Sequence, residues 1–171
     1  MRRSGERAIA GKMTIRVDQR KLVLAKGPGE SERHVLLKAL LFARYVRDYP
    51  DILVERGVGL RYKPDLVALG PYQQIQFWGE SGETSRQKIG WLIRHVREGH
   101  LAFARQSRGA DTFPDLVADA VRREGRHGLI EVLSFDDSAW DLIGPDGSIN
   151  PDAIQPAVTR FEPNLPGTRQ R

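Results

Sequence analysis

The alternation of apolar and polar positions divides this chain into short blocks. Residues 13–25 alternate loosely through Met13, Ile15 and Val17 and again through Leu22 and Leu24, which predicts an edge hairpin turning near Asp18 and Gln19. Gly27, Pro28 and Gly29 then break the chain ahead of an apolar-rich run from about Ser31 to Arg47, read as a long helix that stops at Asp48, Tyr49 and Pro50. Residues 52–60 read as a strand. Residues 64–69 are mostly apolar, whereas 74–78 alternate, with Ile75 and Phe77 on one face and Gln76, Trp78 and Glu80 on the other. Gly70, Pro71, Tyr72 and Gln73 carry turn chemistry between these two runs, so the pair forms a hairpin. Thr84 or Ser85 caps a second helix running to about Glu98, whose Ile89, Leu92, Ile93 and Val96 make an apolar stripe. HLAFAR, residues 100–105, returns as a strand, the crossover expected of a parallel neighbour. A helix near 112–124 and a strand near 129–135 follow, then an acidic, turn-rich stretch and a tail from about Pro151 that holds four of the ten prolines.

This order predicts an α/β protein with a central mixed sheet flanked by helices and an N-terminal edge hairpin. At 171 residues the chain suits one domain with a proper core, placed at residues 13–150 between flexible tails at 1–12 and 151–171. No apolar run approaches the roughly 18 residues of a membrane span, and the start lacks the hydrophobic core of a secretion signal. With no cysteine, disulfide and thiolate chemistry are excluded, and a cytoplasmic protein is expected. The net charge of +5 is concentrated at the ends: residues 1–26 hold eight Lys/Arg against two Asp/Glu, and residues 160–171 hold three against one. Such basic ends suit nonspecific phosphate contact, and they equally suit plain solvation. Inside the domain, residues 86–126 carry nine Lys/Arg against five Asp/Glu, a locally positive stretch.

The chemistry concentrates on the hairpin. A two-residue turn pairing Gly70 with Gln73 would set Asp65 opposite Trp78, leaving Glu80 as its diagonal neighbour on the same face, at roughly 7–8 Å. The fixed φ of Pro71 does not suit the turns that tight hairpins prefer, which leaves room for a longer loop. Lys88 lies at the edge of the second helix's apolar stripe, one turn before Leu92, and is placed to turn toward the sheet. Two carboxylates and an amine at one hairpin end suit a metal-assisted phosphodiesterase. Mg²⁺ takes oxygen ligands and is commonly held by one or two carboxylates plus substrate phosphate, while a lysine orients the nucleophile or offsets transition-state charge. Read singly, an Asp after Pro is a turn residue and a strand-terminal Glu is exposed. Glu30 and Glu32 both open the first helix, where acids favour the dipole. Glu30 shares a face with His34, Leu37 and Leu41, and Glu32 shares one with Leu36 and Leu40, so periodicity does not choose between them. His34, His95, His100 and His127 show no zinc-like spacing. Trp78, Trp91 and Trp140 read as packing residues before stacking platforms.

Residues from about Met13 to Gln106 resemble the YaeQ-like branch of the PD-(D/E)XK nuclease superfamily. PGESERHVLLKALLFARY is similar to that branch's acid-bearing first helix, GLRYKPDLVALG to its Pro-Asp strand, and FWGESG to its tryptophan-containing strand ending in Glu-x-Gly. The resemblance implies a restriction-endonuclease-like core, binding of Mg²⁺ or Mn²⁺ by Asp65 and Glu80, and hydrolysis of nucleic acid, DNA in the first instance. It implies an acidic contribution from the first helix, for which an ungapped alignment from Pro28 favours Glu30. The superfamily's basic residue is expected two positions after Glu80, where this chain has Gly82. The base would then come from the following helix, with Lys88 as the candidate and Arg86 as its substitute. The rival readings are a nucleic-acid-binding module that keeps the fold without cleaving, and a protein-interaction subunit whose acids are surface features.

Overall fold

The computed structural model describes residues 11–107, 109–125 and 128–163. Residues 1–10 and 164–171, read as parts of flexible tails, lie outside the described residues, as does His127. The elements are β1 (Lys12–Val17), β2 (Arg20–Ala25), α1 (Glu32–Tyr45), β3 (Leu53–Val54), β4 (Leu66–Leu69), β5 (Ile75–Ser81), α2 (Arg86–His95), β6 (His100–Gln106), α3 (Phe113–Glu124), β7 (Ile130–Phe135) and β8 (Ala157–Phe161).

β1 and β2 form the expected hairpin, joined at a Val17–Arg20 pair with Asp18 at φ 50°. β3 to β8 form one six-stranded sheet in sequence order. β4 is antiparallel to β5, β5, β6 and β7 are mutually parallel, and β8 returns antiparallel to β7. The parallel pairs require crossovers, and α2 and α3 supply them.

The two sheet faces bury different helices. Ile15 and Val17 of β1, Leu24 of β2, the apolar residues of α1, and Leu66, Ala68, Phe77, Ala102, Ala104 and Leu133 make one core. Because α1 sits between the sheet and the β1–β2 hairpin, it is apolar nearly all round, with Val35 through Ala43 buried without a break. On the opposite face Trp78, Leu101, Phe103, Ile130 and Val132 pack against Ile89, Leu92 and Ile93 of α2 and Phe113, Val117 and Ala120 of α3. α1 is capped by Ser31, whose Oγ accepts from the His34 N–H at 3.1 Å, and α2 by Ser85, whose Oγ accepts from the Lys88 N–H at 3.1 Å.

Three expectations are corrected. The strand expected at 52–60 shrinks to Leu53–Val54, because Glu55 takes φ 50° and Gly59 φ 73°, neither of which continues a strand. Residues 151–161 are not a flexible tail: Pro151–Ala153 form a 3-10 turn, Ile154 is buried, and Ala157–Phe161 are the sixth strand. The hairpin register also differs. A bulge between Ala68 and Leu69 and a turn closed by Gly70 N–H donating to Gln74 O (2.8 Å) lengthen the loop, so Leu66 pairs with Gly79 and Val67 with Trp78. One step further, Asp65 comes level with Glu80 instead of diagonal to it. Alternation would still put Asp65 on the Glu80 face, but Asp65 precedes β4 and its carboxylate turns to the α1 side against Ser81 and His34, while Glu80 faces Trp78 and Lys88, so the expectation of a shared face is also corrected.

Candidate functional site

The start of β4 lies beside the end of β5, and the residues there meet both flanking layers. Strand alternation sends the side chains of Glu80 and Ser81 to opposite faces of β5. Ser81 meets α1. Its N–H and Oγ both donate to Asp65 Oδ2, at 2.8 and 2.9 Å, and its Oγ lies 3.3 Å from His34 Nε2. His34 Nε2 is also 3.3 Å from Asp65 Oδ1 and 3.1 Å from Glu30 Oε1. Glu30 is fixed from both sides, since its Oε2 accepts from the Gly27 N–H at 2.8 Å and its Oε1 from Lys38 Nζ at 2.7 Å. Lys38 is the hub. It is 1% exposed, donates to Glu30 and to Glu55 Oε1 at 2.7 Å each, and stands 3.8 Å from Asp65 Oδ1.

Glu80 is held from the other face. Its Oε1 accepts from Trp78 Nε1 at 2.7 Å and its Oε2 from Lys88 Nζ at 2.6 Å. Lys88 keeps a partly open side chain, with its ammonium 5.4 Å from the centre of the Tyr62 ring. Arg86 is exposed.

The electrostatics of the two carboxylates diverge. Burial acts to raise the Asp65 pKa, but the hydrogen bonds from His34 and the Ser81 N–H, with the charges of His34 and Lys38, outweigh it and hold the carboxyl below its usual range. Burial raises the Glu80 pKa, and the Asp65 charge raises it further. Lys88 and Trp78 oppose this and do not cancel it. Glu30 lies below its ordinary value, since Lys38 and the Gly27 N–H more than offset its burial. Lys38, also penalised by burial, is raised by its two glutamates and stays charged.

The geometry therefore brings Asp65 together with Glu30, and Glu80 together with Lys88, and couples the two pairs through the like charges of Asp65 and Glu80. Sequence reasoning missed Lys38, Glu55 and Ser81. Lys38 had a signal: it interrupts the apolar run VLLKALLFA at four residues from His34 and eight from Glu30, one helical face. Glu55 and Ser81 had none, because their partners are remote in sequence.

A hard cation suits this donor set in kind. Each carboxylate oxygen has about two acceptor sites, and the described hydrogen bonds leave capacity on Asp65 Oδ1 and Glu80 Oε2. Among the described residues no group of three or more His, Asp or Glu is arranged to hold a metal. The protein would contribute two carboxylates, with water and substrate oxygens completing the shell.

The fold has counterparts among solved structures. The YaeQ protein of Xanthomonas axonopodis pv. citri is 17% identical, matching 81% of this chain and 80% of its own at a TM-score of 0.54. The YaeQ protein of Pseudomonas syringae is 16% identical, matching 77% of this chain and 70% of its own at a TM-score of 0.55. At these identities the likeness establishes a YaeQ-like fold. No protein-family model and no curated protein matches the chain. No helix among the described residues is long and apolar enough to cross a membrane.

Proposed function

We propose that this YaeQ-like chain is a divalent-cation-dependent phosphodiesterase of the PD-(D/E)XK kind that hydrolyses nucleic acid, with DNA as the first substrate to test. The observation that carries the reading is that Asp65, just before β4, and Glu80, at the end of β5, lie close enough for the charge of one to raise the pKa of the other, with an ammonium 2.6 Å from Glu80. Lys88 does not cancel the burial and repulsion on Glu80, and a bound cation would relieve both.

In this reading Asp65 and Glu80 hold Mg²⁺ or Mn²⁺, which when bound supplies Lewis-acid polarisation of the scissile phosphoryl group. Ser81 and His34 fix the Asp65 carboxylate by three hydrogen bonds, so its orientation is set before substrate arrives. Lys88, steered by Glu80, donates a hydrogen bond to the attacking water or to a non-bridging phosphoryl oxygen, offsetting charge that develops in the transition state. Glu30 acts through His34 and Lys38 as a positioning residue for Asp65. Arg86, exposed at the first turn of α2, is the weaker candidate for the lysine's task.

The test is degradation of plasmid and single-stranded DNA in Mg²⁺ or Mn²⁺. Activity is expected to be abolished by chelation and lowered by at least a hundredfold in both Asp65→Ala and Glu80→Ala. Salt-sensitive DNA binding without cleavage in either metal would instead favour the binding module that keeps the fold. Alanine variants that alter neither metal affinity nor DNA behaviour would favour the protein-interaction reading.

A further inference from the structure

A cavity of about 280 Å³ lies beside the Asp65 cluster, between the start of α1 and the C-terminal ends of β5 and β6. Its wall includes Ser31, Arg33, His34, Gly82 and Arg105. Arg105 is the unusual member. Its side chain is 14% exposed, and its guanidinium lies 3.9 Å from the centre of the Phe113 ring. Two carboxylates flank it, Glu83 Oε2 from Nη1 and Asp111 Oδ2 from Nε, each at 3.8 Å and too far for a hydrogen bond. Nε and Asp111 Oδ2 are both buried and neither makes a hydrogen bond.

A guanidinium carries five donors, and this one makes no hydrogen bond to a described residue. Phe113 and Asp111 hold its plane and charge without occupying its fork, the state of an arginine pre-organised for a bidentate oxyanion. Arg33 stands on the α1 side of the same cavity, 3.6 Å from Asp137 Oδ1 and partly exposed. The acids of the wall do not oppose an anion equally. Both oxygens of Glu30 are committed, to Lys38 and His34 and to the Gly27 N–H. Glu83 is 92% exposed and free to swing into water.

We propose that this cavity is an oxyanion site that takes a backbone phosphate of a polynucleotide, gripped by Arg105 with Arg33 opposite. The oxyanion chemistry stands on the arginines alone. The polynucleotide rests on the hydrolase reading above, since His34 and Glu30 line the cavity and also touch the Asp65 cluster.

The full chain is titrated calorimetrically, without divalent metal, with inorganic phosphate and with a single-stranded oligothymidylate lacking terminal phosphates. Arg105→Gln is expected to weaken both by at least tenfold, Arg33→Gln by severalfold, and Glu83→Gln to tighten both. Arg122→Gln, which removes an exposed charge paired with Asp119 on α3, is the control and is expected to match the unmodified chain. In the unmodified protein the Arg105 Nε–H resonance is expected to shift on phosphate addition, which tests the site even if Arg105→Gln fails to fold. Equal affinities for Arg105→Gln and Arg122→Gln, or an unmoved Nε–H resonance, would overturn the site. Phosphate binding without oligothymidylate binding would overturn the backbone assignment. Arg105-dependent binding in a chain that never cleaves DNA sinks the hydrolase reading alone, and cleavage with Arg105-independent binding sinks the oxyanion site alone.

Discussion

Lys38 is a full charge inside a helix whose neighbours are almost all apolar, and it is stable there only because Glu30 and Glu55 accept its hydrogen bonds and Asp65 adds its field. Replacing it by Met would take the ammonium from Glu30 and Asp65, both largely buried. Lys38→Met is expected to lower stability by about 3–5 kcal/mol in urea denaturation, more than a simple apolar exchange in α1. A second buried acid sits toward the other end of the sheet. Glu131 accepts from Tyr45 Oη at 2.5 Å and Arg160 Nε at 3.0 Å, with His100 Nε2 at 3.0 Å. Burial acts to raise its pKa, yet His100, Tyr45 and Arg160 bring it from 4.5 to about 2. A folded pKa below the unfolded one means stability that is present above pH 4.5 and lost as pH falls toward 2. The chain should lose about 2–4 kcal/mol across that window from this group. Denaturation midpoints should show that loss in the unmodified chain and not in Glu131→Gln. At the candidate site the order of protonation is fixed by the same logic. Glu80 is raised and Asp65 lowered, so Mn²⁺ affinity is expected to fall on acidification through Glu80 first, at a pH above that of an ordinary glutamate. Calorimetric Mn²⁺ titrations of the unmodified chain and Glu80→Gln as a function of pH check this.

The end of β5 explains why no lysine stands two positions after Glu80. Gly82 has φ +81°, and a Cβ there would lie 2.9 Å from His34 Nδ1. Any L side chain would strain the backbone and push His34 away from Asp65. Gly82→Lys is therefore expected to destabilise the protein by about 1–3 kcal/mol and to lower any metal-dependent hydrolysis, although it supplies a lysine where the PD-(D/E)XK pattern would have one. An increase in cleavage by this variant would show that Lys88 does not hold the role assigned to it. Gly79, also on β5, has a packing reason instead. A Cβ would meet Leu41 Cδ2 at 2.8 Å and Leu66 Cβ at 3.2 Å, so the glycine lets α1 approach the sheet closely enough for His34 and Lys38 to reach Asp65. Gly79→Ala is expected to cost about 1–3 kcal/mol in denaturant melts by overpacking this contact.

Across the whole molecule, stability should grade outward from the parallel centre. β5, β6 and β7 are buried on both faces and paired on both edges, whereas β3 has two residues and β8 is mostly exposed. Amide hydrogen exchange is expected to be slowest in β6 and in the paired residues of β5 and β7, and earlier in β3 and β8. The elements along this gradient were largely legible in sequence, because helices and strands bury a stripe or a face and print that period on their own residues. α1, α2, β5, β6, α3 and β7 follow from apolar spacing, and the cap of α2 is narrowed there to Thr84 or Ser85. β8 was not legible. AVTRF lies exposed at the edge of the sheet, so its membership rests on backbone bonds to β7, which carry no sequence signature. The hairpin residues and the direction of Lys88 were likewise readable, while the register was not, since the bulge at Ala68 and Leu69 moves the pairs from Leu66–Gly79 to Ala68–Phe77 by two. What the sequence determined by itself is the set of elements and the residues able to do chemistry, because periodicity and side-chain type are local. Only the tertiary structure decided their partners. It set Asp65 against His34, Ser81 and Lys38, Glu80 against Lys88, and Arg105 at the cavity beside α1, because each of those contacts joins segments that meet only when the sheet closes between its helices.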